Sequence, residues 1–418
     1  NTSCCAKASG TTRFCGLSKG QPPLPGGSNR GELLVDPAGR RDIDRSVRHS
    51  LVFALACAVG LVVVLAGCQK KEAAITIGLA GAQTGADAQI GLSMLNGSQI
   101  AIDEWNAKGG VLGKKIETIV LDDEGKSDKA VNIAQTLVDD GVAAVIGHFN
   151  SGCTIPASRI YNDAKVVEIS PGSTNPQYTE QGFAHAFRIC GRDDQQGPVA
   201  AAYLRDTLKL DKIAILDDKT SYGEGIADEV KKSFEAKGGQ VVMFQGIGKD
   251  EHDFRANLDV IKGSGAQALY WGGMYGQGGP LFVQMRQAGL AIPFISDDGA
   301  YDQAFIDTVG TDAKDAYLTF GKDYHALPAA QAFMKNYQDK FHQPIGSYSV
   351  YGYDAANVLL TAMAAAGTTD ADKVSAVLKG QPFDTILGKI EFNEKGDVKE
   401  SGYVVWTIRD GKFQVLTP

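Results

Sequence analysis

Cysteine is almost missing from the body of this chain. Seven occur in 418 residues, but Cys4, Cys5, Cys15, Cys57 and Cys68 all fall in the first 68. Only Cys153 and Cys190 remain downstream. They have no zinc-site spacing, and the six histidines are scattered, so a metal centre is not expected. In an oxidising compartment the two would be able to pair; otherwise they are buried free thiols. Positive charge is also scarce. Residues 1–67 hold eight Lys/Arg against four Asp/Glu, so the net −8 of the whole chain becomes −12 for residues 68–418. An acidic body excludes a nucleic-acid binder, which needs clustered Lys and Arg, and it resists sticking to anionic lipid.

Catalytic signatures are lacking as well. Gly125-Lys126-Ser127 looks like the end of a P-loop, but Val120 stands where that pattern needs glycine. There is no G-x-S-x-G elbow and no H-E-x-x-H. The Gly-rich run 272–279 lacks G-x-G-x-x-G, which argues against a dinucleotide. His148 has no evident orienting partner in sequence and reads as structural. No nucleophile, base and orienter stand together. The expectation is a protein that is not an enzyme and carries no cofactor.

Long apolar runs are absent except at residues 51–66, 16 residues without a charge, fewer than the ~20 needed to span a bilayer. Arg40, Arg41, Arg45 and Arg48 precede this run, and Leu65-Ala66-Gly67-Cys68 follows it. Residues 40–67 therefore read as an export signal. The final four residues resemble the lipobox of bacterial lipoproteins, which makes Cys68 the expected lipidation site. Residues 1–39, rich in Gly, Pro and Ser, read as a disordered or misassigned extension.

The remainder is an ordinary globular sequence, with 44% apolar and 22% charged residues in the chain as a whole. It is long enough for two domains. Strand and helix patterns alternate from residue 75 onward. Strands are expected at 75–80, 116–121, 143–147 and 166–170, with helices at 89–108, 127–139 and 154–164 between them. The acids Asp122-Asp123-Glu124 after the second strand read as a solvated turn. The pattern restarts with a helix at 194–209 and continues with strands at 212–216, 240–244, 267–271, 293–296 and 316–321. Three helices then come in near succession, and a hairpin around Arg409-Asp410-Gly411 ends the chain. No Pro-rich linker interrupts residues 69–418. Such alternation predicts an α/β fold: parallel sheets with helices on both faces.

The stretch Val166-Val167-Glu168-Ile169-Ser170-Pro171-Gly172-Ser173-Thr174 is a buried strand running into a loop with hydroxyls and free N–H groups. Ligands of open α/β sheets sit past the carboxyl ends of strands. This loop has counterparts at the other strand ends. Ser151 precedes Thr174 by 23 residues, and Met274 precedes Asp298 by 24. Two halves thus carry matching loops, one offering hydroxyls and amides and the other a carboxylate. Together they suit a zwitterion, an α-amino acid.

Several longer motifs carry a resemblance: Val145-Ile146-Gly147-His148 with Ser151, the loop through Pro176, Gly191-Arg192-Asp193-Asp194-Gln195-Gln196-Gly197, and Asp218-Lys219-Thr220-Ser221-Tyr222-Gly223. They are similar to the periplasmic leucine/isoleucine/valine-binding proteins of ABC transporters, over roughly residues 75 to 410. The resemblance implies a type I periplasmic binding fold, two Rossmann-like lobes joined by three hinge crossovers near 190–193, 320–322 and 396–402. One lobe would be 73–192 with 321–400, the other 193–320 with 401–418. Ser151, Thr174, Ser173 and the Gly172 backbone would hold the ligand's carboxylate and ammonium, with Asp298 reading the ammonium. Tyr222 and Tyr348 match aromatic pocket positions. Met274 replaces a family Tyr, and Ile90 stands where an aromatic covers the mouth. Gly125 and Asn150 occupy the positions of the family's disulfide, so that bridge is not expected.

The resemblance and the export signal together imply a monomeric solute-binding protein of the periplasm or cell envelope. It would be lipid-anchored and would deliver a branched-chain or related apolar amino acid to an ABC permease of the inner membrane. No Lys or Arg in the site loops is placed to favour an acidic side chain. The alternative is a sensory or regulatory subunit binding an amide or aromatic acid in the same fold.

Overall fold

The computed structural model describes residues 73–311 and 313–416. The expected signal segment and Cys68 lie outside these residues. Two sheets organise what is described. The first has five strands: β1 (Ile75–Gly81), β2 (Ile116–Asp122), β3 (Ala144–Ile146), β4 (Val167–Ser170) and β5 (Ala186–Arg188). Their order is β2-β1-β3-β4-β5, and every pairing is parallel. β3, β4 and β5 are buried along their whole length, which explains why they read as unbroken apolar runs rather than as alternation.

The second sheet repeats that order. Its parallel strands are β6 (Lys212–Asp217), β7 (Gln240–Gly246), β8 (Ala268–Gly272), β9 (Phe294–Ser296) and β10 (Ala316–Phe320). They run β10-β9-β8-β6-β7, the same arrangement read from the opposite edge. Beyond β10 the sheet gains two antiparallel strands, β13 (Val404–Arg409) and β14 (Lys412–Val415). Arg409 pairs with Lys412, so Asp410 and Gly411 alone form the turn, both with positive φ. An Asp-Gly pair is suited to that geometry.

The helices obey the expected spacing. Ser127–Asp139 has the predicted bounds, and Ala88–Ala107 lies within one residue of them at each end. The helix expected over 194–209 runs regularly only over Asp193–Ala202, then continues as a wider π-type turn over Tyr203–Thr207. Helix Ala88–Ala107 packs against Ser349–Ala366 with almost no gap. A Cβ at Gly97 would sit 1.9 Å from the Ser349 carbonyl oxygen, and one at Gly352 would sit 2.0 Å from that of Met94. Each glycine therefore permits the backbone of the other helix to approach. A small antiparallel pair, β11 (Phe383–Thr385) and β12 (Gly388–Ile390), comes after the last helix.

The turn after β2 differs from expectation. Asp123 is fully buried, with its carboxylate 2.6 Å from Nδ1 of His148, while Nε2 of His148 lies 3.1 Å from the Tyr161 hydroxyl. The sequence reading of a solvated turn is corrected: a buried carboxylate needs a partner, and here the partner is 25 residues away. His148 does have an orienting partner, and both ring nitrogens are engaged inside the core.

Chain crossings between the sheets occur at three places. They lie after β5 and before β6, after β10 and before the helix Pro328–Phe341, and between β12 and β13.

Candidate functional site

In each sheet the strand order reverses beside its first strand, at β1/β3 and at β6/β8. Such switch points leave a crevice at the carboxyl ends of the strands. Three helices begin there: Ser151–Asp163 after β3, Ser221–Ala236 after β6, and Tyr275–Gln287 after β8. Their free N–H groups favour negative charge at the crevice. Thr220 caps the second of these by accepting from the Gly223 N–H at 3.0 Å.

The loop after β4 is built from within. Ser170 donates to the His148 carbonyl at 2.7 Å and accepts from the Ser173 N–H at 2.9 Å. Arg188 donates to the Ser173 carbonyl at 2.6 Å and is ion-paired with Asp397 at 2.8 Å. The buried guanidinium therefore fixes the loop through its backbone. The Ser173 hydroxyl is buried and has no partner among the described residues, while the Thr174 hydroxyl is buried beside the Asp193 carboxylate. An unmet buried hydroxyl is uncommon in native proteins, and this one belongs to the loop the sequence singles out. Ser151 accepts from the Asn175 N–H at 3.3 Å, which ties the helix start to this loop. Gly172 has no room for a side chain, since a Cβ would meet the Phe149 ring at 2.4 Å.

Facing them is Asp298, in the short 3-10 turn Asp298–Ala300 after β9. It is 2% exposed. The Tyr222 hydroxyl donates to one of its oxygens at 3.0 Å, and the Tyr348 hydroxyl donates to the other. Tyr222 also accepts from the Gly299 N–H at 2.9 Å. Burial raises the Asp298 pKa, while hydrogen bonds from Tyr348, Gln196 and Tyr222 oppose the rise. Its neighbour Asp297 is pushed well above the carboxylate range, by burial first and then by the charge on Asp298. Of the adjacent pair, Asp298 is the one whose rise the surrounding hydrogen bonds hold down. Both phenols are pushed up by burial first and by the neighbouring acids next, so they remain donors.

The apolar wall is continuous. Ile90, Phe149, Tyr222, Met274 and Tyr348 belong to one buried cluster, and the rings of Phe149 and Tyr348 meet edge to face at 4.9 Å. The structure joins Tyr222 and Tyr348 to Asp298 and Ser151 to the Asn175 N–H, and places Ser151, Tyr222 and Met274 on one cavity. It also adds three that the sequence reading did not place there. Phe149 shapes the loop at Gly172. Gln196 bonds the Thr319 carbonyl at 3.0 Å and leaves its own oxygen unpaired among the described residues. Asp193 is fully buried, and burial lifts its pKa well up while the neighbouring Thr174 hydroxyl opposes the rise. Both polar residues lie in the Gly191–Gly197 motif, which the sequence reading took as a crossover alone.

A cavity of about 270 Å³ adjoins Ser151, Tyr222 and Met274. Its far side carries Asp87, Asn150 and Lys249. Lys249 is a cation the sequence reading did not place near the site, but its ammonium bonds Asp87 at 3.1 Å. Asn150 donates to the same oxygen at 2.9 Å. Gly125 and Asn150 are neighbours, with a Gly125 Cβ only 3.3 Å from the Asn150 side-chain oxygen. A polar network therefore stands at the positions of the family's disulfide. Cys153 and Cys190 are buried free thiols, and burial raises the pKa of both.

Residues 74–412 match the family model described as periplasmic binding protein. An amino acid binding protein of Pseudomonas aeruginosa is 41% identical over 346 residues, covering 82% of this chain and 92% of its own. The Leu/Ile/Val-binding protein homolog 1 of Brucella abortus is 40% identical over 362 residues, covering 86% and 97%. The crystal structure of a leucine-binding protein, LivK, from Thermotoga maritima superposes with a TM-score of 0.77 at 28% identity, covering 82% of this chain and 98% of its own.

Proposed function

The chain belongs to the periplasmic binding protein family, and we propose that it is an extracytoplasmic solute-binding protein that captures one α-amino acid and delivers it to an ABC permease. The observation that carries this reading is a buried Asp298 in the same crevice as the Ser173 hydroxyl, which is unpaired among the described residues, and the helix start at Ser151. A carboxylate with no cation among the described residues, together with a free hydroxyl and free helix N–H groups, is complementary to ammonium and carboxylate on one carbon. Ser151, Gly172, Ser173 and Thr174 take the ligand's carboxylate, and Asp298 takes its ammonium. Ile90, Met274, Tyr222 and Tyr348 enclose a branched-chain or related apolar side chain. The named relatives support that class, because two of the three are described by leucine, isoleucine or valine.

Two lobes, 73–192 with 321–400 and 193–320 with 401–418, close on the ligand by hinge motion, the usual repertoire of such proteins. The mature protein begins at a lipidated Cys68 and works as a monomer. An intact mass carrying diacylglycerol on Cys68 is the expected result for the exported protein; an unmodified terminus elsewhere removes the anchor from this reading. Calorimetry with leucine, isoleucine, valine and benzoate tests the ligand. Benzoate has the carboxylate without the ammonium, so tight benzoate binding with no amino-acid binding replaces this reading with an aromatic-acid binder.

A further inference from the structure

A second cavity, of about 650 Å³, lies apart from the amino-acid site. None of Ser151, Thr174, Tyr222, Met274, Asp298 or Tyr348 lines it. Its walls come from segments associated with both sheets. Ser93 of helix Ala88–Ala107, Tyr324 and Ser347 form one side, and Tyr301, Asp302 and Gln303 form the other. The volume falls within the range of small-molecule sites.

Its polar side chains are amides and hydroxyls, apart from His325 and one carboxylate, Asp302. Asp302 is 3% exposed. One of its oxygens accepts from the Ala304 N–H at 2.9 Å and caps the helix Gln303–Val309, which leaves the other to the groove. Ser347 lies beside it, 7% exposed, with its hydroxyl close enough to the Asp302 carboxylate to oppose the rise of its pKa. No lysine or arginine is among the described residues lining the groove. The one histidine there, His325, has its Nδ1 2.8 Å from Asp323. Burial lifts the Asp302 pKa to about 6, and the nearby Asp307 adds to the rise. The carboxylate is therefore still charged at neutral pH, buried, and without a cation among the described residues. Around it the groove is aromatic, with Tyr301, Tyr324, Tyr337 and Phe413 in its lining. An aromatic chamber with a carboxylate that has no cation, beside a hydroxyl, is complementary to an organic ammonium.

We propose that this groove is a second small-molecule site, taking a primary aryl- or alkylammonium between Asp302 and Ser347. Because its walls come from both sides of the molecule, an occupant stabilises their apposition. It therefore strengthens amino-acid binding, and by linkage the amino acid strengthens amine binding by the same factor.

Benzylamine is the probe, and benzyl alcohol its uncharged counterpart. Calorimetry on the protein with its amino acid bound should show saturable benzylamine binding and none for benzyl alcohol. Benzylamine should also raise the affinity for the amino acid by about fivefold or more. Asp302→Asn retains a good helix cap and should weaken benzylamine by about tenfold or more, and Ser347→Ala should weaken it less. Asp298→Ala, in the amino-acid site, should lose amino-acid affinity and still bind benzylamine. No benzylamine binding, equal binding of benzyl alcohol, or full binding to Asp302→Asn overturns the proposal. Loss of benzylamine in Asp298→Ala shows that the amine had entered the amino-acid site, and overturns it too.

Discussion

Lys249, just beyond β7 of the second sheet, reaches Asp87, just beyond β1 of the first, at 3.1 Å. The pair spans the crevice next to the cavity that adjoins Ser151 and Met274. Asp87 is buried, while Lys249 is about one-third exposed. Two further contacts cross nearby, from the Tyr275 hydroxyl to the Ala86 carbonyl and from the Asn175 amide to the Ser221 carbonyl.

These contacts exist only while the two sides are apposed, so their loss should speed ligand release rather than slow capture. Lys249→Ala is expected to weaken amino-acid binding by about fivefold, the upper range for a partly exposed pair, chiefly through a faster off-rate in stopped-flow measurements. The salt dependence of the off-rate should flatten as well. Scattering should show compaction on ligand addition in parent and variant alike. An unchanged radius of gyration at saturation would count against closure itself.

Removing the carboxylate of Asp298 leaves the ligand's ammonium desolvated and unmatched. Asp298→Ala should weaken binding by about 2–5 kcal/mol. Ser151→Ala removes one hydrogen bond to a charged group and should weaken binding by about 1.5–3 kcal/mol. Des-amino analogues should lose their disadvantage in the Asp298 variant, while esters should not. Parent-like affinity of Asp298→Ala for amino acids would remove the zwitterion model.

Met274, which lines the cavity beside Ser151 and Tyr222, is the residue proposed to set the shape of the side-chain pocket. Each buried methylene contributes about 0.8 kcal/mol, so leucine should bind far more tightly than alanine. Met is flexible and polarisable, and methionine or phenylalanine should also fit. Met274→Tyr should narrow the range toward branched chains. Titrating leucine, valine, phenylalanine, alanine and glutamate against both proteins checks this, and tight glutamate binding in the parent would contradict an apolar pocket.

Stability should fall as pH rises from about 4 to about 7. Burial lifts Asp354 to about 7, against an ordinary 3.8, while the N–H groups of Leu387 and Ile386 oppose the rise. In that window the folded state holds a proton that the unfolded state has released, so each step upward in pH favours unfolding. The full difference for one such group is about 4 kcal/mol. Asp218 and Asp302, each lifted to about 6 by burial, act in the same direction. Melting temperatures of the parent and Asp354→Asn measured across this range should differ in slope, the variant being flatter.

Most of this architecture was legible because it is local. Parallel strands buried on both faces read as apolar runs, and the near-equal spacing of Ser151 to Thr174 and Met274 to Asp298 reflects one repeated strand–helix–strand unit. Elements set by tertiary partners were not legible. The β11/β12 pair is short and is held by Asp354, which accepts from the Leu387 N–H at 2.9 Å across 33 residues. Asp123 looked solvated because its partner, His148, lies on another strand end. Lys249 entered the site from a loop with no motif, and Asp193 was hidden inside one read as a connector. The Gly172 contact with Phe149 had no sequence signal, since glycine in a loop usually marks a turn rather than a neighbouring ring.

The three crossings between the sheets have a mechanical consequence. One tether would leave the halves free to swing and twist, and two would still permit a scissoring slip. Three tethers resist shear and torsion, and leave bending as the soft degree of freedom. For the solute-binding role proposed above, a permease would then need to measure only one angle to tell a loaded molecule from an empty one, whatever side chain lies inside.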